Sequence, residues 1–385
     1  MRNGTLGWGA RHAKASHRSW NSFPQQHCGF KDGSATIRSC AAQQLLEPEH
    51  VSHVQPHTGG LAIANVSKKL LSSIASVGSN PGSLKSATYI PACFPHSRPL
   101  VVVLHGSMQT AEDYNHGSGW STLADQHCFA LLFPQQRRAN NAMRAFNWFE
   151  PDDSHRGGGE ALSIREMIEQ MMVDHSIDRR RIFITGLSSG GAMTSVMLAT
   201  YPEVFAGGAI IAGLPYVGGS SLMQALHLMK GYEWSSDKQL DTLVRGASGN
   251  TEEWPRVSVW HGSDDRTVDP SNADAIVRQW QALHSAEDAP TRIDMVDGYA
   301  RRVWCNSVGA ELIEEFRIPH MGHGAPLQAG GTDGYGASGD YMLEVGICST
   351  KHIVSFWGLS ARKARTKKSM LTAVSEAARA LFPRA

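Results

Sequence analysis

Thr185-Gly186-Leu187-Ser188-Ser189-Gly190-Gly191 is the stretch from which the rest of the chain is read. Arg181-Ile182-Phe183-Ile184 precedes it, short, apolar and partly β-branched, the pattern of a buried strand. Ala192 to Ala199 follows with good helix formers and stops before Tyr201-Pro202. Gly186 to Gly190 therefore fits G-x-S-x-G between a strand and a helix, the context that gives this motif chemical meaning. The glycines allow a sharp turn without a Cβ clash. Such a turn lifts the Ser188 hydroxyl clear of the sheet and aims the first helical N–H groups at whatever Ser188 attacks. The plainer reading, a strand–helix turn of small residues, fits the motif alone but not its flanks.

Working outward, the same alternation recurs. Lys85 to Ile90 alternates as a strand, and Leu100-Val101-Val102-Val103-Leu104 is a continuous apolar run typical of a central parallel strand. Trp120 to Gln126 reads as a helix, Phe129 to Phe133 as a strand and Glu160 to Asp174 as a helix with apolar residues at helical spacing. Phe205 to Ile211 and Val257 to Trp260 are further strands, with a helix over Ala273 to Leu283 after the second, and Leu312 to Ile318 is the last clear strand. Strands alternating with helices predict an α/β fold, a mostly parallel sheet covered on both faces.

The chain has 385 residues, 41% hydrophobic and 18% charged, ample for one large core. A net charge of +1 gives no reason to expect nucleic acid as a partner, and no apolar run reaches the ~18 residues of a membrane span. The N-terminus lacks the apolar segment of a secretory signal. Residues 1–83 read as a low-order leader with weak periodicity, apart from one amphipathic helix expected over Ile63 to Val77. The leader holds six of the 18 histidines, without metal-ligand spacing. Residues 360–385 read as a solvated basic tail, seven Lys/Arg against Glu376, with a short helical face over Met370 to Leu381. The six cysteines show neither a disulfide framework nor a zinc pattern.

A serine hydroxyl is a weak nucleophile at neutral pH and needs a base, itself oriented by an acid. In the α/β-hydrolase order these follow as Asp or Glu and then His, each after a later strand. Val257 to Trp260 ends in His261-Gly262-Ser263-Asp264-Asp265, which offers two adjacent aspartates. Phe316-Arg317-Ile318 ends in Pro319-His320-Met321-Gly322-His323-Gly324, which offers two histidines. His323, between two glycines, is favoured over His320 on local pattern. Negative charge develops on the substrate oxygen and requires preorganised donors. One is the backbone N–H of Ser189, and the other comes from the loop His105-Gly106-Ser107-Met108-Gln109. His105 is expected to brace that loop and not to react.

Five segments together resemble the poly(3-hydroxybutyrate) depolymerase-type esterases. They are Leu104 to Ala111, Phe146-Asn147-Trp148-Phe149, Arg156-Gly157-Gly158-Gly159-Glu160, Gly186 to Met193 and Met321 to Pro326. Val345-Gly346-Ile347, His352-Ile353 and Phe356-Trp357-Gly358 add to the likeness, which runs from about Leu84 to Leu359. The resemblance implies one α/β-hydrolase domain over 84–359 and hydrolysis of carboxylic esters without cofactor or metal. Feruloyl, acetyl and short hydroxyalkanoate oligomer esters are the substrate classes it implies. It puts the nucleophile on Ser188, the base on His323 and the acid on Asp265, and the second oxyanion donor on the backbone of Ser107. It also implies that Trp148, Phe149 and Trp304 line the acyl side, although tryptophans in such a hairpin often serve only the core. An extracellular habitat is implied, against the missing signal, with cytoplasmic as the alternative. Family members often carry cysteines at the Ser107 and Ala145 positions; both are absent here, as loss of one disulfide would leave them. Acyl transfer or peptide hydrolysis on the same scaffold is the competing enzymatic reading. A silent binding protein is the non-enzymatic one, and it normally loses one of the three residues.

Overall fold

The computed structural model describes residues 70–360, apart from 75–77, 94–96, 232–236, 250–252 and 332–333. The leader histidines and the expected helix over Met370 to Leu381 lie outside the described residues.

Ten strands form one sheet. In chain order they are β1 (Ser72–Ser73), β2 (Lys85–Tyr89), β3 (Arg98–Leu104), β4 (Ala130–Gln135), β5 (Ile177–Leu187), β6 (Gly207–Ile211), β7 (Arg256–Gly262), β8 (Arg292–Val296), β9 (Tyr299–Cys305) and β10 (Glu311–Ile318). Their spatial order is β1-β2-β4-β3-β5-β6-β7-β10-β9-β8. From β4 to β10 every pairing is parallel, and antiparallel strands extend both edges. Every residue of β3 and of β6 is buried, as expected of strands covered on both faces.

Eight α-helices occur among the described residues: α1 (Ala111–Ser118), α2 (Trp120–His127), α3 (Gly159–Asp174), α4 (Ser189–Thr200), α5 (Leu222–Met229), α6 (Asp237–Ala247), α7 (Ser271–His284) and α8 (Ser349–Phe356). α4 is buried at all of its positions. Its composition explains this, since it is apolar or small all round and the helix needs no wet face. No helix among the described residues is long and apolar enough to cross a membrane.

Four expectations need correction. Ser72 and Ser73, inside the helix expected over Ile63 to Val77, form β1 and pair with Thr88 and Ala87. The open edge of β2 supplies backbone partners that a short amphipathic helix would forgo. Packing also begins before residue 83: the Gly82 N–H donates to Ser163 Oγ at 2.8 Å and the Asn80 N–H to Glu166 Oε2 at 2.7 Å. Cys93 and Cys128 form a disulfide with Cα atoms 5.8 Å apart, tying the end of β2 to the end of α2 across a 35-residue separation that no spacing pattern marks. Leu312 to Ile318 is not the last strand: β11 (Ala325–Leu327) and β12 (Met342–Glu344) pair in parallel as a separate ribbon beside the site.

Candidate active site

Parallel strands deliver their C-terminal loops to one edge of the sheet, where α/β sites form. Ser188 follows β5, Asp265 follows β7 and His323 follows β10. β7 and β10 are neighbours in register, with Gly262 opposite Ile318. Their loops are then stitched together: the Ser263 N–H donates to Ile318 O at 2.9 Å and the Asp264 N–H to Met321 O at 3.0 Å. A Cβ at Gly262 would stand 2.1 Å from Met321 O, so only glycine permits the approach.

Ser188 adopts φ 56° and ψ −118°, a conformation costly for a residue with a side chain. Its surroundings hold it there. The Ser188 N–H donates to Ile211 O at 2.9 Å, and Ala192 N–H returns to Ser188 O at 2.9 Å. A Cβ at Gly190 would lie 2.5 Å from His105 O, so this side of the turn also presses directly on the β3 loop.

The structure brings three of the expected residues into one hydrogen-bonded line. His323 Nε2 is 2.9 Å from Ser188 Oγ, and His323 Nδ1 is 2.7 Å from Asp265 Oδ2. Asp265 is 4% exposed, and its Oδ1 accepts the Thr267 and Val268 N–H groups, each at 2.9 Å. Burial pushes this carboxyl towards the protonated form, but hydrogen bonds from His261 and His323 outweigh it and hold the group well below the usual carboxylate range. Asp264 and His320 are not part of the line. They face each other at 3.6 Å, with side chains 57% and 92% exposed.

Ser107 and Ser188 line the same small open cleft. Gly106, Met108, Gln109, Leu187 and Tyr341 complete its lining with His323. The Ser107 hydroxyl donates to Ser189 Oγ at 3.2 Å, so the two expected oxyanion residues touch. Ser189 opens α4, and the N–H of a first-turn residue has no intrahelical acceptor. The β3 loop is braced at several points. The Gly106 N–H donates to Gln109 Oε1 at 2.9 Å, and the Met108 N–H reaches Met143 O at 2.6 Å. That second bond joins the two loops whose family cysteines are missing.

His105 braces the loop as expected. It is fully buried, accepts the Gln136 N–H at Nε2 (3.1 Å) and donates from Nδ1 to Gly106 O (2.7 Å). Burial pulls its pKa down to about 4. A depressed folded pKa means that His105 contributes full stability above pH ~6.5, lost as pH falls towards 4, and amounting to ~3 kcal/mol. Buried Glu160 and Glu314, both raised, work in the opposite direction over part of that range. The expected result is therefore a difference. Between pH 7 and 4.5, urea unfolding of His105→Gln should lose ~2 kcal/mol less than that of the wild type. Parallel losses would rule out a neutral buried His105.

The aromatic residues sit elsewhere than expected. Trp148 is 5% exposed in the core, edge-on to the partly buried Phe149 at 5.5 Å. Trp304 is 3% exposed on β9, opposite Ile313. None of the three lines the cleft; Met108, 52% exposed, and Tyr341, edge-on to His323 at 5.9 Å, do. Neither was singled out by the sequence, because one is a lone methionine in a turn and the other a lone tyrosine beyond the last expected strand. Glu160 of the Gly-rich motif is buried behind the segment that carries Trp148 and Phe149. It accepts the Asn147 N–H at 2.9 Å and bonds Gln136, fixing the Phe146 to Phe149 segment from behind.

The family model for PHB depolymerase esterases matches residues 84–296. The chain belongs to this esterase family. It is 42% identical over 301 residues to the poly(3-hydroxyalkanoate) depolymerase C of Paucimonas lemoignei, covering 78% of this chain and 72% of that protein. It is 27% identical to a feruloyl esterase B of Talaromyces stipitatus, over 66% of this chain and 72% of the relative. An acetylxylan esterase of Coprinopsis cinerea is 28% identical over 66% and 69%. Among solved structures, the acetyl xylan esterase from Aspergillus awamori superposes with a TM-score of 0.64 at 22% identity, over 76% of this chain and all of that one. The fold is that of the α/β-hydrolases, and the protein is a carboxylic ester hydrolase.

Proposed function

We propose that the protein hydrolyses short hydroxyalkanoate esters through an acyl-enzyme on Ser188, with His323 as general base and Asp265 as its orienting acid. The observation that carries this reading is the unbroken line from Ser188 Oγ through His323 to Asp265, at 2.9 and 2.7 Å. Both distances lie within hydrogen-bond reach of the proton to be moved. His323 Nε2 takes the Ser188 proton as Oγ attacks the ester carbonyl. The tetrahedral oxyanion is met by the N–H groups of Ser107 and Ser189. His323 then passes its proton to the departing alcohol, and water repeats the sequence to release the acid.

The substrate class rests on two supports. The relative named for poly(3-hydroxyalkanoate) is 42% identical, against 27% and 28% for those named for feruloyl and acetylxylan esters. The cleft, bordered by Met108, Leu187 and Tyr341, offers apolar contact to a short acyl chain. On a panel of 3-hydroxybutyrate oligomers, p-nitrophenyl acetate and methyl ferulate, kcat/KM for the oligomers should exceed that for methyl ferulate by roughly 10-fold or more. The opposite ranking would move the assignment to aryl esters of plant cell walls.

A further inference from the structure

Asp265 carries one contact that the proton relay does not use. His261, the penultimate residue of β7, places Nε2 3.2 Å from Asp265 Oδ2 and 2.9 Å from Val268 O. Both neighbours are acceptors, so Nε2 bears the proton, directed chiefly at Val268 O and shared more weakly with Asp265 Oδ2. The side chain is wholly buried, and its Nδ1 has no hydrogen-bond partner among the described residues. What the ring supplies is thus a single N–H at Nε2, at the expense of a buried nitrogen left without a partner. An aliphatic side chain would fill the same space without that expense, so the N–H needs a reason.

We propose that His261 is a positioning residue for ester hydrolysis. Its Nε2–H fixes Asp265 Oδ2 in line with His323 Nδ1, and through Asp265 it sets the angle at which His323 meets Ser188. The inference rests on the reading of Ser188, His323 and Asp265 given above. The two backbone N–H groups from Thr267 and Val268 hold only Oδ1, which leaves the carboxylate free to pivot about that oxygen. Oδ2 receives the His323 N–H at 2.7 Å and lies 3.2 Å from His261 Nε2, and His323 must itself rock during turnover to reach first Ser188 and then the leaving group. His261 is the contact on Oδ2 that does not move with the reaction. A carboxylate held by three hydrogen bonds and this fourth contact is preorganised for its partner.

The test is a kinetic double-mutant cycle on the intact chain. His261→Leu removes the donor and should lower kcat roughly 10- to 100-fold, the scale of a small misplacement in a catalytic relay. KM should stay within about 2-fold, because nothing in the substrate cleft is touched. His261→Gln, which carries an amide N–H to nearly the same point, should restore kcat to within about 5-fold of wild type. In an Asp265→Asn background, His261→Leu should cost less than about 3-fold, since the residue acts through that carboxylate. An unchanged kcat in His261→Leu, or an equal cost in both backgrounds, would reduce His261 to a loop brace on Val268 and overturn the proposal. If His261→Leu fails to fold, His261→Gln against the shorter His261→Asn makes the same comparison, and equal kcat in the two overturns it. Wild-type kcat in Asp265→Asn alone would instead strike the reading on which the inference stands.

Discussion

Ser188→Ala leaves a folded protein that has lost ester hydrolysis by ~10⁶-fold in kcat. The fold survives because Ser188 is held by its backbone: its N–H bonds Ile211 O and its C=O receives Ala192 N–H, and neither bond involves the hydroxyl. Alanine keeps the Cβ, so the positive φ is no more strained than before. The chemistry does not survive. Oγ is the atom that His323 Nε2 meets at 2.9 Å, and no covalent intermediate forms without it. The neighbouring hydroxyls of Ser107 and Ser189 bond each other and do not lie on the line to His323. Steady-state hydrolysis of a p-nitrophenyl ester, alongside a melting curve, checks both halves. Retention of more than a tenth of wild-type kcat would remove Ser188 from its assigned role.

Asp265→Asn is expected to cost ~10⁴-fold, and Asp264→Asn far less. The amide nitrogen of asparagine, turned towards His323, would oppose the Nδ1–H that must point at it, so the ring settles in the wrong tautomer. Asp265 also has no room to compensate: it is buried with both oxygens engaged. Asp264 sits in solvent against His320, and such exposed pairs contribute little. The histidines should divide in the same way, with His323→Ala inactive and His320→Ala close to wild type. Measured kcat for the four variants checks the ranking, and a reversed order within either pair would show that the loops present the other residue to Ser188.

The centre of the molecule was legible because its physics is local. A fully buried parallel strand must be apolar throughout, so Leu100 to Leu104 reveals itself, and a sharp strand–helix turn must carry glycine at 186 and 190. Strand succession called for an aspartate and then a histidine after Ser188, and the family resemblance chose Asp265 from the two adjacent aspartates. What sequence missed depends on partners distant in the chain. β8 and β9 are rich in charge, and Arg292, Arg301 and Arg302 pair there with Glu311, Glu314 and Glu315 on β10. Their apolar alternation is hidden by those pairs. α1 is polar along its exposed side, with Thr110 as its cap and Tyr114 buried beneath, and no apolar stripe marks it. Trp148 was drawn towards the substrate by its motif, yet a large ring next to a turn gains more from the core. His261 read as the end of a strand, since nothing in its neighbours along the chain shows that its side chain turns back to Asp265 four residues later.

The most direct measurement of the central claim is covalent. A fluorophosphonate reports a serine that is both exposed to substrate and activated by its base, and it forms the analogue of the tetrahedral intermediate. Intact-mass analysis should find one adduct per chain, peptide mapping should locate it on Ser188, and esterase activity should fall in step with labelling. His323→Ala should label far more slowly, and Ser188→Ala not at all. An adduct on another residue, or full hydrolytic activity in a chain whose Ser188 is already phosphonylated, would contradict the account.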